Sequence, residues 1–562
     1  MSVLAEEVLQ AKVAPVVKES KAQRAERLKV EKNPWEAWAE VQQFAREGRE
    51  SVLASWTGLY FKWWGIYTQG DGVGAVGGVG GEGKESEYFM MRIGVPNGIL
   101  SARQLRVIGE LTTKHARGIA DVTTRQAIQL HWLTIESLPE IVEALEEVGL
   151  GPKGACGDVV RNVTGCPLAG KDGHELFDSS ELALEVARRL TGNPLYYNLP
   201  RKFKISITGC PVWCSYPEIN DVGLTGIERV VDGVREVGYS LRVGGGLSAE
   251  PHLAVRLNAF VRPEQALRAV EGVVEIFREQ ESLRKDRKKA RLKYLFMSEG
   301  WTAESFLAAL EEKVGFKFEV GPEEVAPEDV YRDHVGVHPQ RQDGLSYVGV
   351  SVLRGRLSGE QLIALADLAE EYGAGDGALR TTVGQNVVVV DVPNERVQEL
   401  CAALPVIGLE VQASMFWRGT VACTGTEFCK LAITETKGFA RWVVGELEER
   451  MPEFREPLRL NVTGCPNGCG QHWIADIGLE GKKVKHNGSL VDAYNFNLGG
   501  AVGRESHVAR VTGYRCVAEE VPVAIERLLR AYLAGRSEGE NLRRYLERFD
   551  VPALRAQLAG GA

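Results

Sequence analysis

The sequence predicts a mixed α+β protein built from two similar halves, and three observations carry that expectation. First, Ile-Thr-Gly-Cys-Pro-Val-Trp-Cys at 207–214 resembles Val-Thr-Gly-Cys-Pro-Asn-Gly-Cys at 462–469, and the pairs Cys210/Cys465, Cys214/Cys469, Asp221/Asp476 and Gly223/Gly478 all lie 255 positions apart. Second, Gly98, Leu100, Ser101, Gln104 and Leu105 recur 257 positions on as Gly355, Leu357, Ser358, Gln361 and Leu362, and Thr123-Thr124 recur 258 positions on as Thr381-Thr382. Third, apolar strand-like runs such as 127–135 and 386–392 alternate with helical patterns such as 361–372. The period is far longer than any solenoid unit, so it marks a duplicated domain pair.

Taken in chain order, residues 1–50 form an N-terminal helical arm, charged, with apolar Val3, Leu4, Val8 and Leu9 suited to surface helices or a mobile segment, and no chemistry is assigned to it. Residues 51–148 and 330–405 are the two shorter repeat units, each a strand, a helix and a second strand; 149–329 and 406–562 are longer cysteine-bearing units. Between Gly70 and Gly83 eight of fourteen residues are glycine, which costs too much chain entropy for a packed element. Gly72-Val-Gly74-Ala-Val-Gly77 matches the dinucleotide fingerprint there, but no strand enters it and no amphipathic helix follows, so it is a chance match. From Arg284 to Lys293 seven of ten residues are basic, the pattern of a solvated helix face.

The 562 residues are 44% hydrophobic and 25% charged, the composition of a folded globular chain. Lys and Arg number 67 against 76 Asp and Glu, a net charge of −9, which excludes the global basic field of a nucleic-acid binder. No run approaches the roughly 18 apolar residues of a membrane span. Glu6, Glu7 and Glu19 stand where a targeting peptide avoids acids, and the expected location is the cytoplasm. Ten cysteines in so long a chain point to metal or redox chemistry instead of a disulfide scaffold.

Their spacing is informative. Cys423 and Cys429 are separated by five residues and Cys465 and Cys469 by three, all among Gly, Pro and Thr. A thiolate quartet on turn-rich backbone binds an iron–sulfur cluster or zinc; the five-residue gap suits zinc less, because a zinc knuckle usually spans two to four. The first half keeps Cys210 and Cys214, but Cys156 and Cys166 do not reproduce the other pair, which suggests that only the second half holds the metal. Around the first half gather Arg92, Arg125, Arg201, Lys202 and Lys204. On an extended segment Lys202 and Lys204 project to one face, and two like charges together call for an anion.

With these motifs the chain resembles the siroheme- and 4Fe-4S-containing sulfite/nitrite reductase hemoproteins, from about Trp56 onward. The resemblance rests on Cys-Thr-Gly-Thr-Glu-Phe-Cys, Gly-Cys-Pro-Asn-Gly-Cys-Gly, Thr-Thr-Arg-Gln and Pro-Arg-Lys-Phe-Lys. It implies two ferredoxin-like half-domains pairing into one domain, plus two larger α+β siroheme-binding domains. Cys423, Cys429, Cys465 and Cys469 would hold the cluster, Cys469 bridging to siroheme; Arg92, Arg125, Lys202 and Lys204 would bind the oxyanion and supply protons; Arg201, Arg291 and Lys293, with Asn162 and Gln385, would face the siroheme carboxylates. Tyr67 and Cys156 match the positions of a Tyr–Cys thioether found in some relatives. The implied reaction is reduction of sulfite to sulfide with reduced ferredoxin as donor, the alternative substrate being nitrite. Lys204 favours sulfite, because nitrite reductases of this type usually carry Asn there. Residues 284–289 offer a basic patch for the acidic donor, and a monomer is expected. The alternative of another class is a non-catalytic protein stapled by zinc at the four cysteines.

Overall fold

A computed structural model describes residues 19–70, 85–212, 214–323, 332–373, 379–503 and 506–561. The 72–77 glycine motif and the apolar positions between Val3 and Leu9 lie outside the described residues. Four five-stranded sheets organise the chain. The first contains Ile66–Gly70, Glu85–Ile93, Ile128–Leu133 and Ile119–Val122, and its last strand, Arg356–Ser358, comes from the other half. The second contains Gly336–Pro339, Leu345–Val350, Val387–Pro393 and Leu379–Thr381, and is completed by Ile99–Leu100 of the first half. This reciprocal exchange makes the two ferredoxin-like halves one domain with a single apolar core.

The repeat residues explain the exchange. Ser101 and Ser358 each cap a helix, Ala102–His115 and Gly359–Tyr372, and each closes a capping box with the glutamine three residues on (Gln104 and Gln361; 3.0 and 2.9 Å to the cap N–H). The two helices cross so closely that a Cβ on Gly109 would sit 2.7 Å from Ile363.

Each larger domain repeats one sheet: Thr164–Gly165, Ile205–Thr208, Val222–Val231, Val234–Val243, Val255–Val261, and Thr420–Ala422, Leu460–Thr463, Ile477–His486, Ser489–Leu498, Arg510–Val517. In both, the first three strands run parallel and the later pairs antiparallel. The loops leaving the parallel strands carry the cysteines, as ligand loops do at strand carboxyl ends.

Hydrogen bonding corrects one repeat alignment. The Thr123 N–H donates to Ala127 O (2.8 Å), and it is the Thr382 N–H that makes the matching bond, to Asn386 O (2.9 Å). Thr123 therefore matches Thr382, not Thr381, and Arg125 matches Gly384; Gln126 and Gln385 share the left-handed φ of 58° and 64° that ends this turn. The arm is described from residue 19 onward. Its described part includes a surface helix docked along one face: Lys29, 0% exposed on Lys21–Glu31, donates to Leu199 O (2.9 Å) and lies 3.7 Å from Asp158.

Candidate active site

Arg92 lies on Glu85–Ile93 and donates to Cys156 Sγ at 2.9 Å. Arg125 sits in the turn after Ile119–Val122, its guanidinium fixed by Asn220 Oδ1 and Asn162 O, both at 2.7 Å. Lys202 and Lys204 precede Ile205–Thr208, and the bridge between Phe203 and Val160 keeps this segment extended, so both lysines face one way. Among the described residues neither ammonium makes an ion pair. Burial, then Arg291, pushes Lys202 down to about 7; burial, then Lys202 and Arg125, holds Lys204 well below its usual range. Burial, then Arg161, lowers Arg125 to about 9. Such crowding costs stability unless an anion is bound, and it makes a lysine near neutrality a competent proton donor.

A buried acid holds the pocket wall. Asp221 accepts from the Lys204 backbone N–H (2.8 Å) and from Arg291 Nη2 (2.8 Å). Lys293, lowered to about 8 by burial and then by Arg291, donates to Leu247 O (3.0 Å) and caps the loop 246–250. Arg201 is partly exposed and lies 3.4 Å from buried Asp158.

The cysteine loops meet this pocket. Cys423 follows Thr420–Ala422, and Gly464 N–H donates to its sulfur at 3.2 Å; Asn467 Nδ2 reaches Cys465 Sγ at 3.5 Å. Burial, then Cys469, pushes the Cys429 thiol up to about 12, so this quartet is poorly placed to ionise without a cationic centre. Thr124 Oγ1 donates to Cys469 O (3.4 Å), and Cys469 lies near enough to Arg92 and Lys202 to favour their charged forms. The last cysteine thus neighbours both the other three thiols and the cations Arg92 and Lys202. Four soft donors with N–H groups on sulfur, beside a cation-lined pocket, fit a cluster and a polycarboxylate macrocycle.

The structure brings together Arg92, Arg125, Lys202, Lys204, Arg291 and Cys469. Asn162 and Gln385 act at one remove: Asn162 Nδ2 donates to Val95 O (2.8 Å) and Arg125 O (2.9 Å), leaving Oδ1 without a partner, and the Gln385 amide is spent on Val122 O (2.9 Å) and Ala422 N–H (3.0 Å), just before Cys423. Tyr67 lies beside Cys156, whose sulfur accepts from Arg92. The basic run is largely turned inward: Arg284 pairs with Glu26 (2.8 Å) and Arg287 with Asp158 (2.7 Å), so only Lys285, Lys288 and Lys289 remain as a patch. Sequence reasoning missed Arg161, which donates to Gly157 O (2.8 Å) and lies in the field of Arg125 and Lys202; its counterpart Arg418, 257 positions on, was the available signal.

Comparison with known proteins gives this geometry its class. The nitrite and sulphite reductase 4Fe-4S domain matches residues 156–318 and 415–560, and the nitrite/sulfite reductase ferredoxin-like half domain matches 82–148 and 338–405. The chain belongs to the nitrite and sulfite reductase family, oxidoreductases whose cofactors are siroheme and a 4Fe-4S cluster. It is 39% identical over 538 residues to an assimilatory ferredoxin-dependent nitrite reductase of Haloferax mediterranei, covering 90% of this chain and 88% of that one. It is 37% identical over 545 residues to a sulfite reductase [ferredoxin] of Mycobacterium tuberculosis, covering 94% and 95%. The solved structure of the Mycobacterium tuberculosis NirA protein superimposes with a TM-score of 0.88 at 36% identity, covering 94% of this chain and 97% of that one. A zinc-stapled structural protein gives way to these matches.

Proposed function

We propose that the protein reduces sulfite to sulfide in six electrons delivered singly by reduced ferredoxin, as a cytoplasmic monomer. Cys423, Cys429, Cys465 and Cys469 would hold the cluster, and Cys469, Arg201 and Arg291 would hold siroheme, with Lys293 acting at one remove through the loop 246–250 that it caps. The two groups when bound supply electron storage and the iron that takes the substrate. The chain's own residues do the rest. Arg92, Arg125 and Lys204 hold and polarise the oxyanion, while Lys202, near neutrality, donates protons as oxygen leaves as water. Arginine keeps its proton, so the two lysines carry that role.

One observation supports sulfite over nitrite: Lys204, half-buried and without an ion-pair partner among the described residues, adds a fourth cation to the pocket. Sulfite, with three oxygens and up to two charges, uses that cation better than nitrite. Relatives named for each substrate stand at similar identity, 39% and 37%, so the side chain carries the choice. The test is kcat/KM for both anions, measured anaerobically with reduced ferredoxin: sulfite is expected to lead, and a lead for nitrite would overturn the assignment. The exposed Lys285, Lys288 and Lys289 are offered to an acidic donor. The nearness of Tyr67 to Cys156 supports a thioether between them, whose formation passes two hydrogens to an oxidant such as dioxygen; an intact mass two hydrogens below the sequence value is expected, and an unmodified mass would exclude the bond.

A further inference from the structure

The duplication creates a second pocket at the mate of the reaction site. Arg459 stands where Lys204 stands, its backbone N–H donating to Asp476 (2.7 Å) as that of Lys204 does to Asp221 (2.8 Å). Cys214 takes the place of Cys469, and Arg418 that of Arg161. Strand register matches Arg92, opposite Gln129, with Gly349, opposite Val388. The two lost cations, at Gly349 and Gly384, are replaced from elsewhere. A side chain at Gly349 would run into the His334 carbonyl, so glycine there admits the segment 332–335, which brings Arg332 and His334 into the pocket.

What remains is a cavity of about 40 Å³ lined by Arg332, Arg418, Arg459, His334, Asn386 and Cys214, among others. Arg418 is held by Asp333 (2.7 and 2.8 Å) and Arg332 by Asp172 (3.0 Å), which aims their guanidinium groups. Three arginines and Asp333 are among the described lining residues, so guanidinium N–H groups are the commonest charged donors at the cavity. Two further polar atoms face no partner: Nε2 of His334, 6% exposed, and Nδ2 of Asn386, 3% exposed. His334 also sits at a left-handed φ of 60°, a strained conformation for a non-glycine residue, of a kind that clusters at ligand clamps. One water needs about 10–15 Å³ of such cavity space, so the cavity takes a few waters or one small polyatomic guest. Guanidinium groups disfavour a cation, and orphaned N–H donors disfavour an apolar guest.

We propose that this pocket binds one small inorganic oxyanion, separately from the substrate site. Arg459 and Arg332 bring guanidinium N–H groups, Asn386 Nδ2–H is an oriented donor, and His334 in its Nε2–H tautomer supplies another. The proposal does not depend on whether sulfite or nitrite is reduced at the other site. Selenate, which scatters anomalously, is the probe, soaked into crystals of the cofactor-loaded full chain. The expected result is an anomalous peak within hydrogen-bonding reach of His334 Nε2 and Arg459, lost in Arg459→Gln while selenate beside Lys202 and Lys204 persists. Should Arg459→Gln fail to fold, His334→Asn, which tolerates the left-handed backbone, must reduce that peak at least threefold. Water alone in the cavity at selenate concentrations that fill the substrate side would overturn the proposal, and so would a peak indifferent to the variant tested.

Discussion

Lys204 and Arg459 occupy the same position in the two halves, each pinned through its backbone N–H to a buried aspartate that also holds a distant arginine: Asp221 with Arg291 (2.8 Å), Asp476 with Arg543 (3.2 Å). The frame was duplicated whole, and the chemistry was divided. Around Lys204 stand Arg92 and Arg125; around Arg459 the same positions are Gly349 and Gly384. Cys423 and Cys429 lie 257 positions from Cys166 and Asp172, and the turn is the same, with Cys429 N–H bonding Gly425 O (2.9 Å) and Asp172 N–H bonding Leu168 O (3.0 Å). The first half therefore keeps three of the four cysteines, but its fourth position is a carboxylate already held by His174 and Arg332. A few side chains on a common backbone thus decide which half does redox chemistry.

The largest effect tests that division. Cys465→Ser should abolish the cluster, with loss of iron and of the visible spectrum, whereas its mate Cys210→Ser should leave both intact; equal iron loss would mean that the first-half thiols also carry metal. Next, Asp221→Asn leaves Arg291 and the lysine pair without their buried counter-charge and should cost about 3–5 kcal/mol in urea unfolding, more than Asp476→Asn. Equal costs would show that the shared frame, and not the cation crowd, sets the penalty. A third comparison uses pH. Burial holds His334 down to about 4, so between pH 6.5 and 4 the unfolded chain takes up a proton that the folded one refuses. Stability is unaffected by this group above pH 6.5 and falls by about 3 kcal/mol as pH drops toward 4. His334→Asn should flatten that part of the curve. Smallest are the capping boxes: Ser101→Ala and Ser358→Ala should each cost about 1 kcal/mol, alike in the two halves.

Much of this was legible in residue order. The repeats exposed the duplication because caps, tight turns and ligand loops need particular residues at fixed spacing; Ser101 with Gln104 and Cys465 with Cys469 are such cases. The exchange of Arg356–Ser358 for Ile99–Leu100 was not legible, since two or three residues carry no pattern that names a partner strand. The inward turn of Arg284 and Arg287 was hidden for another reason: a basic run looks solvated until its partners, Glu26 and Asp158, are brought from 258 and 129 residues away. The second pocket was equally hidden, because a glycine at 349 declares nothing until His334 is seen against it.

The most direct test of the central claim, that the cation set around Lys204 selects the oxyanion and assists its reduction, is kcat/KM of Lys204→Asn for sulfite and for nitrite, each relative to the unaltered protein. Loss of one oriented cation should lower the sulfite value by about 100-fold, with the nitrite value falling at least tenfold less. Equal losses for the two anions would contradict the claim.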